Sequence, residues 1–361
     1  MSCRPRSRSA SRRSPSRPSP SVEVGARAWV ARAWRSRGPA AWPLLAPALL
    51  FAALSALRRL AYRRGWLRAL RVARPVVVVG NVNAGGSGKT PLTLRLAQDL
   101  RARGRRPGIV SRGYGGQVES HREVAPDADP RQVGDEPALM RARAGCPVWV
   151  GRDRVAAASA LIAAYPEVDV ILADDGLQHY RLARDLEIAV VDPLLLGNRW
   201  PLPAGPLREP LARLAQADLM VVHGSADRLT HARRFTMRLV PGQFYRLGQP
   251  ELRCSAADLA GQRLHAVAGI GRPRRFFDSL RALGLTFAEH EFPDHHEYQS
   301  RDFPYADGAI VLLTEKDAVK CVRLALSGQF WVLPVEAEVE PDLARCVLAL
   351  LEERTDGCTP A

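Results

Sequence analysis

The sequence predicts an α/β protein: a core with a mostly parallel sheet around a phosphate-binding loop, plus a second, smaller α/β domain. Three observations carry this. From residue 75 onward short apolar runs alternate with helical stretches, and the runs are continuous, as in strands covered on both faces. The first run, four valines at 76–79, leads straight into the glycine-rich "GNVNAGGSGKTP". After about residue 226 a second series of runs begins.

The front end reads differently. The chain has 361 residues and a formal charge of +15, but ten arginines and one acid (Glu23) fall within the first 38 residues. The body behind them is close to balanced. Residues 1–37, rich in Arg, Ser and Pro, have little to bury and are expected to be disordered. Residues 38–57, "GPAAWPLLAPALLFAALSAL", carry no charge, and as a helix they would reach about 30 Å. Pro43 and Pro47 interrupt the first half, and arginines follow at 58, 59, 63, 64, 68, 71 and 74. Residues 38–74 are read as a membrane-associating helix with its arginines on lipid phosphates. A helix packed on the protein's own body is the alternative. No RNA-binding or zinc-finger pattern accompanies the basic charge, so nucleic acid is not an expected partner. Six scattered cysteines, none in C-x-x-C, read as reduced thiols without a disulfide frame or zinc site.

Residues 75–228 form the expected first domain, with strands in the runs 76–80, 107–111, 148–151, 168–173, 188–192 and 218–223. Residues 229–361 form the second, with runs at 235–240, 264–269, 286–292, 309–313 and 330–335. The boundary is placed near 225–235.

Strand, glycine-rich loop, then helix is the order a phosphate requires. Asn83, Ala84, Gly85, Gly86, Ser87 and Gly88 would turn their N–H groups inward, Lys89 would reach the terminal phosphates, and Thr90 would ligate Mg²⁺. Asn83 stands where the usual pattern has its first glycine. It is tolerable there because asparagine visits left-handed geometry more readily than most residues. The helix that follows places Leu92, Leu96 and Leu100 on one face, accepts Pro91 in its first turn and stops at Gly104. Its N-terminus adds partial positive charge beside the phosphates. The acid that such a loop needs on a neighbouring strand is offered by Asp174 and Asp175 in "VDVILADDG". A guanine-reading N-K-x-D is absent; "TEKD" at 314–317 has the wrong spacing.

Further polar clusters stand in order: "SRGYGG" at 111–116, "GDEP" at 134–137, "DDGLQHY" at 174–180, "GNRWPLPAGPLREP" at 197–210, "AGIGRPRRFF" at 268–277, "FPDHHEY" at 292–298 and "TEKDAVK" at 314–320. With the variant loop, these clusters resemble the tetraacyldisaccharide 4′-kinase family over roughly residues 40–340. The resemblance implies a P-loop kinase core, a second domain closing over the cleft, ATP and Mg²⁺ as cofactors, and membrane lipids as surroundings. It implies an acylated glucosamine disaccharide 1-phosphate as acceptor, phosphorylated on its 4′-hydroxyl to lipid IV-A at the cytosolic face of the inner membrane. It also implies Asp135 as the base and a partner histidine in the DHH segment, taken as His295. On physical grounds His295 is read as orienting Asp135 rather than taking the proton, with domain closure assembling the pair. Glu209 is a further metal candidate. Arg112, Gln178 and Arg208 are candidates for positioning phosphate or sugar groups, Arg208 alternatively pairing with Glu209. Arg272, Arg274 and Arg275 would meet the acceptor's 1-phosphate or only solvent. A monomer is expected. Two rival readings are a membrane-associated ATPase that switches a protein partner and a nucleic-acid binder that uses the arginine-rich front.

Overall fold

The computed structural model describes residues 29–224 and 229–356. Most of the arginine-rich front, residues 1–28, lies outside them. Its last part does not: residues 29–35 are helical. They dock on the 198–205 loop, where the Asn198 amide donates to the carbonyls of Ala33 (2.9 Å) and Ser36 (3.3 Å) and the Trp34 indole N–H donates to Pro203 (2.9 Å). Disorder through residue 37 was therefore too broad an expectation, because Ala33, Trp34 and these polar contacts give the segment something to bury.

Helix α1 (Leu45–Arg63) follows a single 3-10 turn, Trp42–Leu44. Pro43 lies in that turn and Pro47 in the first turn of α1, so neither interrupts the helix. Of its side chains only Ala48 is buried, while Leu49, Leu50, Leu54, Leu57 and Leu60 are exposed. The segment from Trp42 to Arg63 is long and apolar enough to cross a membrane, by length and composition.

The large sheet has nine strands in the order β15-β8-β7-β6-β1-β5-β2-β4-β3. They are β1 (Val76–Gly80), β2 (Pro107–Ser111), β3 (Arg122–Glu123), β4 (Val148–Val150), β5 (Val170–Asp174), β6 (Leu186–Val191), β7 (Leu219–His223), β8 (Arg234–Pro241) and β15 (Val335–Glu340). β8, β7, β6, β1, β5, β2 and β4 run parallel, and β3 and β15 are antiparallel edges. Residues of β1 point alternately to two apolar layers, Val77 and Val79 to one, Val76 and Val78 to the other. Helices α2 (Lys89–Ala102) and α3 (Asp135–Ala144) cover the first layer, and α4 (Arg154–Ala164) covers the second.

The second sheet, in the order β10-β9-β14-β13-β11-β12, holds β9 (Phe244–Arg246), β10 (Gln249–Cys254), β11 (Leu264–Ala268), β12 (Ala288–Glu291), β13 (Ile310–Thr314) and β14 (Gln329–Leu333). Helices α5 (Pro273–Ala282) and α6 (Glu315–Cys321) pack on it.

A single boundary at 228/229 does not describe these sheets. The run at 235–240 is β8 of the first sheet, paired to β7 from Met220↔Arg234 onward. β15 returns beside β8, and the last helix, α7 (Leu343–Asp356), packs Leu343, Ala344, Val347 and Leu350 into the first core. The second lobe is thus an insertion between β8 and β15. The reason is packing: Phe235 and Met237 belong to the apolar layer of the first sheet. An apolar run announces a strand but not the sheet it joins.

β1 must pass close to the 176–180 loop to bring the phosphate loop beside the end of β5. A Cβ on Gly80 would lie 2.5 Å from Leu177 Cβ and 2.9 Å from its backbone nitrogen. Gly80→Ala is expected to lower stability by roughly 1–3 kcal/mol through overpacking, measured by denaturant unfolding; an unchanged midpoint would show that the two segments separate freely.

Candidate active site

The loop after β1 is shaped by glycines and by side chains that reach across it. Gly85 and Gly88 have φ of 109° and 88°, in the region that favours glycine. The Asn81 amide donates to the Gly85 carbonyl (3.2 Å) and to Ser87 Oγ (3.0 Å), bracing the turn from within. Asn83 is fully buried and does not have the left-handed conformation expected of it. It bridges to Leu207, and the next N–H, that of Ala84, donates to the Pro206 carbonyl at 2.7 Å. The loop therefore starts extended, tied to "GPLREP", and needs no glycine at that position.

β5 ends in the acidic pair, whose two members have different surroundings. The Asp174 carboxyl is buried and accepts from the Thr93 hydroxyl at Oδ1 (3.1 Å), while Oδ2 has no partner in the protein. Burial first, then the neighbouring charges of Glu136 and Asp175, push its pKa up to about 7. Asp175 is left-handed (φ 48°) and turns its carboxylate to Lys89 Nζ (3.3 Å) and Arg208 Nη1 (3.1 and 3.2 Å). Burial would raise its pKa, but Lys89, Arg208 and Arg154 outweigh burial and hold it at about 2. Arg154, buried at the start of α4, donates to the carbonyls of Asp174 (3.3 Å) and Asp175 (3.2 Å). Gln178 donates to the Asn81 carbonyl (2.9 Å), joining the acidic loop to the phosphate loop.

A second cluster joins the lobes. Asp135 opens α3 after Gly134, whose φ of 95° turns the chain. His295, itself left-handed at φ 61°, places Nδ1 3.1 Å from Asp135 Oδ2. That hydrogen bond, against the opposing effect of burial, raises the histidine's pKa. Lys320 Nζ lies 3.8 Å from the same oxygen and 2.8 Å from Asp317 Oδ1. Beside them Lys316 pairs with Glu136, and Arg143 pairs with Glu315.

The residues chosen from sequence thus fall into two groups. Lys89, Asp174, Asp175, Gln178 and Arg208 meet at the phosphate loop, with Thr90 in the first turn of α2; Asp135 and His295 meet across the lobes. Glu209 lines the same cavity as Asp175 but is engaged by other partners: it accepts from the Tyr180 hydroxyl (3.0 and 2.8 Å) and pairs with Arg213 (3.4 Å) and with Arg59 of α1 (3.5 Å). Among the described residues no trio of carboxylate, histidine or cysteine side chains converges on one point, so Glu209 does not complete a metal cluster with the acidic pair. Arg208 pairs with Asp175 and not with its neighbour Glu209. Arg275 is held by Asp192. Sequence reasoning missed Asn81, Glu136, Arg154 and Lys320. Of these Lys320 was traceable, since it stands three residues after Asp317 on one helix face of "TEKDAVK".

A cavity of about 470 Å³ opens between α1 and the acidic loop. Arg58, Arg59, Arg112, Arg152, Arg154 and Arg208 line it together with Asp175.

The family model described as tetraacyldisaccharide-1-P 4′-kinase matches residues 40–352. A tetraacyldisaccharide 4′-kinase of Azoarcus sp. is 52% identical over 321 residues, which cover 88% of this chain and 94% of the relative. One from Dechloromonas aromatica is 51% identical, covering 89% and 95%. A crystal structure of LpxK from Aquifex aeolicus in complex with ATP is similar with a TM-score of 0.74 at 28% identity, over 87% of this chain and 98% of that one. On the match over most of its length and the site just described, this chain belongs to the tetraacyldisaccharide-1-P 4′-kinase family.

Proposed function

We propose that the protein moves the terminal phosphoryl group of ATP to the 4′-hydroxyl of an acylated glucosamine disaccharide 1-phosphate, giving lipid IV-A for lipid A synthesis. The observation that carries the assignment of roles is the Asp135–His295 pair, a carboxylate oriented by an imidazole from the other lobe. A nucleotide switch has no use for it; a kinase with an alcohol acceptor needs a base where the hydroxyl loses its proton. Asp135 takes that proton. His295 holds the carboxylate in line, and Lys320 offsets charge behind it.

The amides of residues 85–89 and the Lys89 ammonium grip the triphosphate, while the Ala84 N–H, expected from sequence to join them, is committed to the Pro206 carbonyl. The residues at the end of β5 fit a magnesium ion: the buried Asp174 Oδ2 has no protein partner, and an oxygen donor set suits this cation. Thr90, Asp174 and Asp175 would hold it, and when bound it would offset charge on the transferring group. Arg208 and Lys89 keep Asp175 ionised and in place.

The acceptor enters from the membrane side. In the arginine-lined cavity Arg58, Arg112 and Arg152 have no ion-pair partner among the described residues, which suits a phosphate monoester. α1 lies at the inner membrane's cytosolic face with Leu49, Leu50, Leu54 and Leu57 among the acyl chains and Trp42 and Trp66 near the headgroups. One chain supplies every part of this site, which supports a monomer as the working unit.

Asp135→Asn is expected to cut turnover about 10²- to 10⁴-fold in a transfer assay with γ-labelled ATP and the acyl-disaccharide phosphate, while calorimetry still detects nucleotide binding. Near-normal turnover would remove Asp135 as the base. Because the Asp174 pKa is raised, this carboxyl is neutral below about pH 7 and charged above it. Magnesium-dependent nucleotide affinity should accordingly strengthen as pH rises through that value, and Asp174→Asn should flatten the dependence. Replacing Leu50, Leu54 and Leu57 together by glutamate should release the protein from sedimented anionic vesicles without weakening ATP binding. Retention on the vesicles would contradict the anchoring role.

A further inference from the structure

Asp192 follows β6 and is 1% exposed, yet it is a carboxylate. Its partners come from three elements. Arg275 Nη2, in the first turn of α5 in the second lobe, approaches Oδ2 to 2.5 Å; His223 Nδ1, at the end of β7, lies 3.5 Å from the same oxygen; and the Leu194 N–H donates to Oδ1 at 3.0 Å. Together these hold the Asp192 pKa at about 2 although burial pushes it upward.

Two features make this more than a surface ion pair. α5 is fixed in the second lobe by Phe276, Phe277 and Leu280, so Arg275 carries the position of that lobe. On the other side, β6 is hydrogen-bonded to β1, and the loop after Asp192 borders the phosphate loop, with Leu195 Cδ1 4.0 Å from where a Gly85 Cβ would stand. The sheet order places β6 and β7 on one side of β1 and β5 and β2 on the other. The second lobe therefore meets the first at both flanks of the phosphate loop: Asp192–Arg275 on one, Asp135–His295 and Glu136–Lys316 on the other.

We propose that Asp192, Arg275 and His223 form a latch that sets how far the second lobe closes over the phosphate loop, and so sets the approach of His295 to Asp135. Asp192 and Arg275 are positioning residues that act through the lobe. The kinetic part of this inference rests on the role given above to Asp135 and His295; the geometric part does not.

The test uses the full chain in detergent, with spin labels on cysteines placed at the exposed Ser120 and Asp278, one in each lobe. In Arg275→Met the interlobe distance distribution should broaden and shift outward, and Arg275→Lys should restore it in large part. Turnover in Arg275→Met should fall about 10- to 100-fold, as expected when reacting groups are misplaced by about an ångström, and the loss should be less than additive with His295→Ala. Asp192→Asn should reproduce the distance change, which guards against misfolding peculiar to one variant. An unchanged distribution in both variants overturns the latch. A shifted distribution with unchanged turnover upholds the latch and instead overturns the role assigned to the Asp135–His295 pair.

Discussion

The site is organised around one carboxylate. Asp175 draws Lys89 from the phosphate loop and Arg208 from the 206–209 loop onto a single group, and Arg154 secures the turn behind it. Each cation belongs to a different stretch of chain. Lys89 is mostly buried, while Asp175 and Arg208 keep 26% and 32% of their side chains exposed, so losing the Lys89 partner would leave a partly buried carboxylate less well compensated. The surrounding bonds have the same effect on a smaller scale: Gln178 reaches Asn81, and Ala84 reaches Pro206. Three loops far apart in sequence are held as one surface before any ligand contact is considered.

The neighbour of that carboxylate behaves oppositely. Asp174 and Asp175 are consecutive, yet one is pushed toward neutrality and the other held charged. The cause is direction. Asp174 still belongs to β5 and points into the sheet's apolar layer toward Thr93, whereas the left-handed turn at Asp175 swings its side chain out to the cations. A strand end converts two identical side chains into two chemically distinct groups.

The insertion of the second lobe explains how residues 160 positions apart can meet. The chain leaves the first sheet after β8 and re-enters it at β15, so the lobe is tethered at two closely spaced points beside the phosphate loop. The polar contacts between α3 and α6 join the two lobes a second time. α1 is attached to the same body through Arg59 and Glu209, and Tyr62 lies against Tyr180 with ring centroids 5.8 Å apart. The apolar helix and the acidic loop are therefore in mechanical contact.

The local elements were legible in the sequence because their causes are local. Four valines before a glycine-rich turn specify strand and phosphate loop, a buried run before Asp174 specifies the acid-bearing strand, and an uncharged stretch before an arginine cluster specifies an apolar helix. The Asp135–His295 pairing was reached through family resemblance; no spacing rule links two loops so distant. Tertiary structure alone decided which sheet β8 joins, that Asn83 is extended rather than left-handed, and that Glu209 serves Tyr180, Arg213 and Arg59 instead of an acidic cluster. Those outcomes depend on which surfaces meet: hydrophobic patterning is nearly the same for any sheet that could bury the strand, and a carboxylate's partners are set by whichever cations the fold delivers to it.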